Sequence, residues 1–99
     1  MPIAFKTTDI RFQNVQGRQT ETQTVPFNSN VVSAETAVRG FNFDFRVADR
    51  NIDKVEVTTR KRAQNNNLVE VEATVIYADQ RRDDDYSCTV NVLVIAEVV

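Results

Sequence analysis

Residues 78–86, "ADQRRDDDY", carry the densest set of side chains that could bind a ligand. They include the carboxylates of Asp79 and Asp83, the guanidinium of Arg81 and the phenol ring of Tyr86. Guanidinium and carboxylate groups hydrogen-bond to vicinal hydroxyls, and a tyrosine ring offers an apolar face to a sugar ring. These residue types at this spacing predict a polar rim that contacts a carbohydrate.

Two other interpretations of this segment are open. The consecutive aspartates 83–85 could supply the oxygen ligands that Ca²⁺ requires. Their side chains would diverge, however, because they do not alternate as in a calcium loop, so we expect no metal ligands here. Alternatively, the segment is the solvent-exposed end of a hairpin, where charges prevent pairing with other chains. Arg81 or Arg82 would then pair with an aspartate, which contributes about 0.5 kcal/mol.

The composition excludes several kinds of chemistry. Among 99 residues there is no histidine, no tryptophan and only two glycines, so imidazole-based catalysis and a glycine-rich phosphate loop are ruled out. The single cysteine, Cys88, allows no intrachain disulfide and no cysteine zinc cluster. Its phase with Val90 and Val92 predicts a small core residue. We expect neither catalysis nor a cofactor.

Charge and hydropathy also limit the partners. The net charge is −2, without a long basic cluster, so nucleic acid is not expected as a partner. The N-terminus "MPIAFKTTDI" lacks the features of a signal peptide, and no run approaches the roughly 20 apolar residues of a membrane helix. No membrane partner is expected, and the location is cytoplasmic only by default.

Apolar and polar residues alternate with the period of β-strands over most of the chain. The clearest runs are "RGFNFDFRV", "DKVEVTTR", "LVEVEATVIY" and "YSCTVNVLVIAEV". "SAETAVRG" is the one helix-like piece, and it could equally be an extended lead into the Phe41 strand. Between the runs lie Asn-rich and Asp-rich turns. This pattern predicts a single all-β domain over 1–99, an antiparallel β-sandwich of about six strands.

Some outward positions are apolar where polar residues are expected. Leu93 and Ile95 lie on the outward side of the last strand, and Ile76 lies on the outward side at the end of its own strand. We interpret them as one apolar stripe. Two explanations are open: an interface between subunits, or cover by the N-terminal segment.

The order and spacing of the predicted strands resemble those of the H-type lectin domain. The stretches that carry the resemblance span roughly residues 18–98, after an N-terminal segment 1–17; they are "TVPFNSN", "AVRGFNFDF", "KVEVTTR", "NNLVEVEATVIY" and "DYSCTVNVLVIAEV". The resemblance implies a six-stranded sandwich that forms a trimer, sometimes doubled to a hexamer. It also implies a carbohydrate site at the boundary between subunits, specific for N-acetylgalactosamine in the known lectins.

Individual residues follow the lectin pattern only in part. Tyr86 matches the tyrosine that opens the last strand, and Lys54 is the one basic candidate for the sugar-binding arginine. The lectin pattern has a tryptophan and a histidine near the positions of Asp79 and Gln80, so neither side chain is retained here. The pattern also has an aspartate in its N-terminal loop, which falls at 17–19, where this sequence has no acidic residue. The resemblance therefore favours the oligomeric scaffold over the sugar specificity.

The sequence predicts a non-catalytic, lectin-like module that forms oligomers and binds glycans. Its predicted binding residues are Lys54, Asp79, Arg81, Asp83 and Tyr86. The alternative is a structural or assembly protein, such as a phage or particle component, that uses the same scaffold without a sugar site.

Overall fold

A computed structural model describes residues 2–15, 17–45, 54–78 and 86–99. They form six strands. In chain order these are β1 (Ile3–Val15), β2 (Gly17–Pro26), β3 (Val31–Phe45), β4 (Lys54–Asn65), β5 (Leu68–Ala78) and β6 (Tyr86–Val98). The segment "SAETAVRG" is part of β3, so its extended interpretation is confirmed. The described part of the chain contains no helix that could span a membrane.

The strands form two antiparallel sheets of three strands each. Sheet I has the order β1-β6-β3, and sheet II has the order β2-β5-β4. The predicted all-β fold, an antiparallel sandwich of six strands, is confirmed. The segment 79–85 connects β5 in sheet II to β6 in sheet I, and these two strands do not pair with each other. The interpretation of this segment as a hairpin end was therefore wrong: it joins the two layers.

The two central strands provide most of the core. Every second residue of β6 is buried, and Val69, Val71, Ala73 and Val75 of β5 are fully buried. A residue on a central strand has a neighbour on both sides and the other sheet above it, so its apolar side chain is removed from water completely. Edge strands contribute fewer buried side chains to the core, which are Ile10, Phe12, Val25 and Ala34, and the connection after β2 adds Phe27.

An asparagine-rich turn closes one end of the sandwich. Asn66 and Asn67 join β4 to β5, and Asn66 has a positive φ of 53°, which asparagine tolerates better than most residues. The Asn67 carbonyl accepts a hydrogen bond from the Phe27 amide at 2.8 Å, while its side-chain amide donates to the Phe27 carbonyl at 2.9 Å. The Asn66 carbonyl accepts from the Val31 amide at 2.8 Å. The turn thereby fixes the connection between β2 and β3.

The N-terminal segment is a strand of sheet I. β1 pairs with β6 from Ile3 to Val15, with one irregularity after Phe12. β1 therefore lies beside β6 in the plane of the sheet, and its described residues do not cover the outward surface of β6. The prediction that this segment could cover the apolar stripe was wrong.

The molecule is long and thin. Its Cα extents are 49 × 18 × 17 Å and its radius of gyration is 15.4 Å, where a compact domain of this length has about 13 Å. Its solvent-accessible surface is 6258 Å², against about 5,700 Å² for a compact monomer of this mass. Strands of 10–15 residues in sheets only three strands wide explain both values.

Candidate functional site

Three of the five predicted binding residues, Asp79, Arg81 and Asp83, lie outside the described residues. For Lys54 only the strand position is described: it begins β4, opposite Ala78 at the end of β5. Its backbone is thus at the end of the sandwich where the connection 79–85 begins.

Tyr86 is a core residue. Its side chain is fully buried, and its ring centroid lies 5.7 Å from that of Phe43. Its hydroxyl donates a 2.6 Å hydrogen bond to the carbonyl of Gly17. Burial, and to a smaller extent the charge of Cys88, raise the pKa of Tyr86 to about 12. The prediction that this ring faces a sugar was wrong, because none of its surface reaches solvent.

The Tyr86 hydroxyl links the two sheets. Tyr86 begins β6 of sheet I, and Gly17 begins β2 of sheet II. Gly17 is buried and has a φ of +63°, a backbone conformation that a residue with a Cβ adopts only with strain. The sequence gives a signal for this role, since a tyrosine that alternates in phase with buried valines belongs to the inward face of its strand.

Cys88 has the predicted structural role. It is buried in the core, and burial raises the pKa of its thiol to about 11. A protonated, enclosed thiol is a poor nucleophile.

The outward surface of sheet I carries an apolar patch. Phe5 is 64% exposed and Ile3 is 54% exposed. The strand pairing places Phe5 beside Ile95, and Leu93 between Thr7 and Ala37. We define the apolar patch by its members, which are Ile3, Phe5, Ala37, Leu93 and Ile95.

The predicted stripe does not continue to Ile76. That residue lies on the outward side of sheet II, between Arg18 and Glu56, and is only 9% exposed. Moreover, Leu93 follows Tyr86 by seven residues, which places the patch about 23 Å along the strand from the connection 79–85. The apolar patch therefore lies away from Tyr86, the residue at which β6 begins.

Charged residues flank the apolar patch on the same sheet. Glu35 and Glu97 lie at one end of it, and Arg11 lies towards the other end, opposite Thr89. Between them, the Asn91 side-chain amide donates to an Asp9 carboxylate oxygen at 2.8 Å. The surface thus carries Glu35 and Glu97 at one end, and Asp9 together with Arg11 towards the other.

The side of the sandwich between β3 and β4 is also partly apolar. Phe41 is 55% exposed and Val55 is 44% exposed, although both occupy inward positions of their strands. The alternation of residues in β3 predicts an inward, core position for Phe41, but β3 is an edge strand, and no described strand covers its free side. Phe43 is partly buried and packs edge-on against Phe41, with ring centroids 5.7 Å apart.

The outward surface of sheet II contains a polar trough of about 380 Å³. A row of three threonines crosses the sheet, in which Thr20 and Thr74 are hydrogen-bonded at 3.1 Å. Because this row of short side chains lies between two rows of longer ones, a hollow forms along it. The side chains that line it are Arg18, Thr58, Thr59, Arg60, Glu72 and Thr74.

The trough combines hydrogen-bond donors and acceptors. Arg60 contacts both carboxylate oxygens of Glu72, at 3.3 and 3.2 Å. Arg18 has no carboxylate partner among the described residues. The signal for this trough is the shared register of the threonines, which cannot be read before the strand pairing is known.

The described residues contain no group of three or more cysteine, aspartate or glutamate side chains that could hold a metal ion. Comparison of the chain with models of protein families, with curated proteins and with solved structures gives no match. The resemblance to the H-type lectin domain stays a prediction.

Proposed function

We propose that this protein is a non-catalytic structural module that assembles with copies of itself through the apolar patch on sheet I. The observation that carries this proposal is the exposure of Phe5 and Ile3 next to Ile95 and Leu93. An apolar patch that none of the described residues covers is typical of an interaction surface. The elongated shape of the molecule also supports self-association. A thin molecule exposes more surface to water than a compact one, and association would bury part of that surface.

Burial of the patch supplies a driving force of the right size. Covering Phe5 and Ile3, which are 64% and 54% exposed, is worth about 1–2 kcal/mol for each side chain. Each copy contributes this amount, so a contact between two copies gains roughly twice as much. The trimer or hexamer implied by the lectin resemblance remains a prediction about the final assembly.

The test is the mass of the protein in solution, measured by light scattering over a range of concentrations. We expect a mass above that of one chain, reduced towards one chain in a Phe5→Lys variant. The matched control is Phe41→Lys, an exposed phenylalanine on the β3–β4 side, which should leave the mass unchanged. A single-chain mass at millimolar concentration contradicts the proposal, and a loss of mass only in Phe41→Lys moves the interface away from sheet I.

The second candidate function is glycan binding, and the polar trough favours it. Threonine hydroxyls donate and accept hydrogen bonds, the Arg18 guanidinium can bind vicinal hydroxyls, and the Glu72 carboxylate accepts from them. A carbohydrate site of this kind is separate from the predicted loop site, whose residues Asp79 to Asp83 stay a prediction.

A glycan array with the purified protein tests this second function. Binding through the trough should be lost in Arg18→Met, which keeps the length of the side chain and removes its charge. The control is Arg11→Met on the opposite sheet, which should bind as the wild type does. Binding that survives Arg18→Met excludes the trough, and Tyr86→Ala is unsuitable as a test because it would damage the core.

A further inference from the structure

We infer that the polar trough on sheet II binds acidic carbohydrates, and that the oxyanion of the sugar, a sulfate ester or a carboxylate, contacts Arg18. This preference rests on glycan binding through the trough, the second candidate function, and adds to it the class of sugar. The positions and the charges of the side chains that line the trough support it.

The strand register places two arginines at opposite corners of the trough. Thr20, Thr74 and Thr58 form the row that crosses β2, β5 and β4. Arg18 lies on β2 in the next row on one side, and Arg60 lies on β4 in the next row on the other side. Four residues along the strands and two strand spacings across separate them, so their Cα atoms are about 17 Å apart. A ligand in the trough therefore lies over threonine hydroxyls, with a guanidinium towards each end.

The lining of the trough is positively charged, although the whole chain is not. Two arginines and one glutamate line it, which gives a net charge of +1, whereas the net charge of the chain is −2. Both carboxylate oxygens of Glu72 accept hydrogen bonds from Arg60, and the Glu72 side chain is only 14% exposed. Because this carboxylate is compensated by Arg60, the charge that remains for a ligand is that of Arg18.

Both arginines retain donors that an oxyanion can use. Arg18 has no carboxylate partner in the part of the chain that the structure describes. A guanidinium carries five N–H donors, and Arg60 uses two of them for Glu72. Guanidinium groups bind carboxylates and phosphates through two parallel hydrogen bonds, which are stronger than those between neutral groups. A sulfate ester presents its oxygens in the same way, whereas a neutral sugar offers no such acceptor.

The size and the floor of the trough favour a sugar over a bare anion. Its volume of about 380 Å³ lies in the range of about 300–1,000 Å³ that is typical of ligand pockets. The Thr58 hydroxyl has no hydrogen-bond partner among the described residues. Threonine hydroxyls both donate and accept, so they complement the hydroxyls of a sugar ring.

The trough stays accessible in the proposed assembly. It lies on the outward surface of sheet II, whereas the apolar patch lies on the outward surface of sheet I. Association through the patch therefore leaves the trough of each copy open. Affinity per chain should be the same in the wild type and in Phe5→Lys, which separates sugar binding from self-association.

Isothermal titration calorimetry with three disaccharides tests the class of sugar. One disaccharide is neutral, one carries a carboxylate and one carries a sulfate ester. We expect at least one acidic disaccharide to bind about tenfold more tightly than the neutral one, and Arg18→Met to remove this difference. The control Arg11→Met removes the same charge from sheet I and should bind as the wild type does. The preference should also weaken from about 0.1 M to about 1 M salt, because the Debye length falls from about 10 Å to about 3 Å.

A pair of threonine variants locates the sugar independently of charge. Thr58→Val replaces a hydroxyl in the trough with a methyl group and should weaken binding of the acidic disaccharide about threefold. Thr24→Val makes the same change on the same surface of sheet II, outside the trough, and should not alter the affinity. An unchanged affinity in Thr58→Val places the sugar elsewhere and overturns the assignment to the trough.

Different outcomes separate glycan binding from the preference for acidic sugars. If no disaccharide binds, glycan binding through the trough fails, and the acidic preference fails with it. If neutral and acidic disaccharides bind equally and Arg18→Met weakens both, glycan binding stands and the acidic preference is overturned. If inorganic sulfate displaces the sulfated disaccharide at an equal concentration, the trough is a site for a small anion, and the assignment to carbohydrate is overturned. Circular dichroism of each variant confirms that the β-sandwich is intact before these results are used.

Discussion

The Tyr86→Phe substitution tests the structural role of Tyr86 most sharply. It removes one oxygen atom and keeps the ring that packs against Phe43. In the native protein this hydroxyl donates a 2.6 Å hydrogen bond to the Gly17 carbonyl, and the phenol is fully buried. The substitution therefore takes one hydrogen bond from the junction of the two sheets and leaves the carbonyl without this donor.

The expected loss follows from burial. A buried acceptor that loses its donor costs about 1–3 kcal/mol. For a domain of this size, each kcal/mol lowers the melting temperature by about 4–8 °C. We therefore expect the Tyr86→Phe variant to melt at least roughly 4 °C below the wild type, with an unchanged β-sheet circular dichroism spectrum.

Urea unfolding and thermal melting measure this loss. The matched control is Thr20→Val, which also removes one hydroxyl and its hydrogen bond, to Thr74, but at an exposed position. That control should lose less than about 0.5 kcal/mol. If the free energy of unfolding of Tyr86→Phe falls no further than that of Thr20→Val, the hydroxyl does not tie the sheets together and our account of Tyr86 is refuted.

Three further predictions concern pH, the turn and the core. The pKa values of Tyr86 and Cys88 are raised to about 12 and about 11, from 10.0 and 9.0, so the folded state holds both protons more tightly than the unfolded state. The free energy of unfolding should not depend on these two groups below pH 9, and it should fall between about pH 9 and pH 12. Thermal melting across this range should show a smaller fall for a Tyr86→Phe/Cys88→Ala variant than for the wild type. Asn66→Ala should lose about 1 kcal/mol in urea unfolding because of the positive φ, whereas Asn66→Gly should lose nothing; equal losses would rule out the backbone as the cause. Val92→Ala, at a fully buried site on β6, should cost about 2 kcal/mol, and Val32→Ala, which is 44% exposed, should cost far less in the same assay.

Much of the architecture could be predicted from the alternation of residues. In β5 and β6, every second residue is apolar. A strand with one buried face shows this pattern, because successive side chains point to opposite faces of the sheet. The asparagine-rich turn at Asn66 was also visible, because asparagine tolerates a positive φ. β1 gave a weaker signal, since its inward side includes Lys6 and Thr8 and its outward side includes Phe5, and an edge strand does not need a strictly apolar inner face.

The candidate sites were harder to predict. Tyr86 was placed at a rim because it follows a charged loop, although its phase with Cys88 and Val90 put it on the inward face. The apolar patch joins Phe5 to Ile95, which are 90 positions apart in the chain. Ile76 does not belong to this patch because β5 and β6 lie in different sheets, whose outward surfaces face opposite ways.

The sequence by itself determined that the chain forms strands, which side of most strands faces the core, and which catalytic chemistries lack their side chains. These properties are local: they depend on period two, on turn residues and on composition. Only the tertiary structure decided which strands pair, and hence that Phe5 and Leu93 share one exposed surface while Ile76 lies on the other. Strand pairing depends on contacts between distant residues and on the register of each pair, and a shift by one residue would turn every side chain to the opposite face.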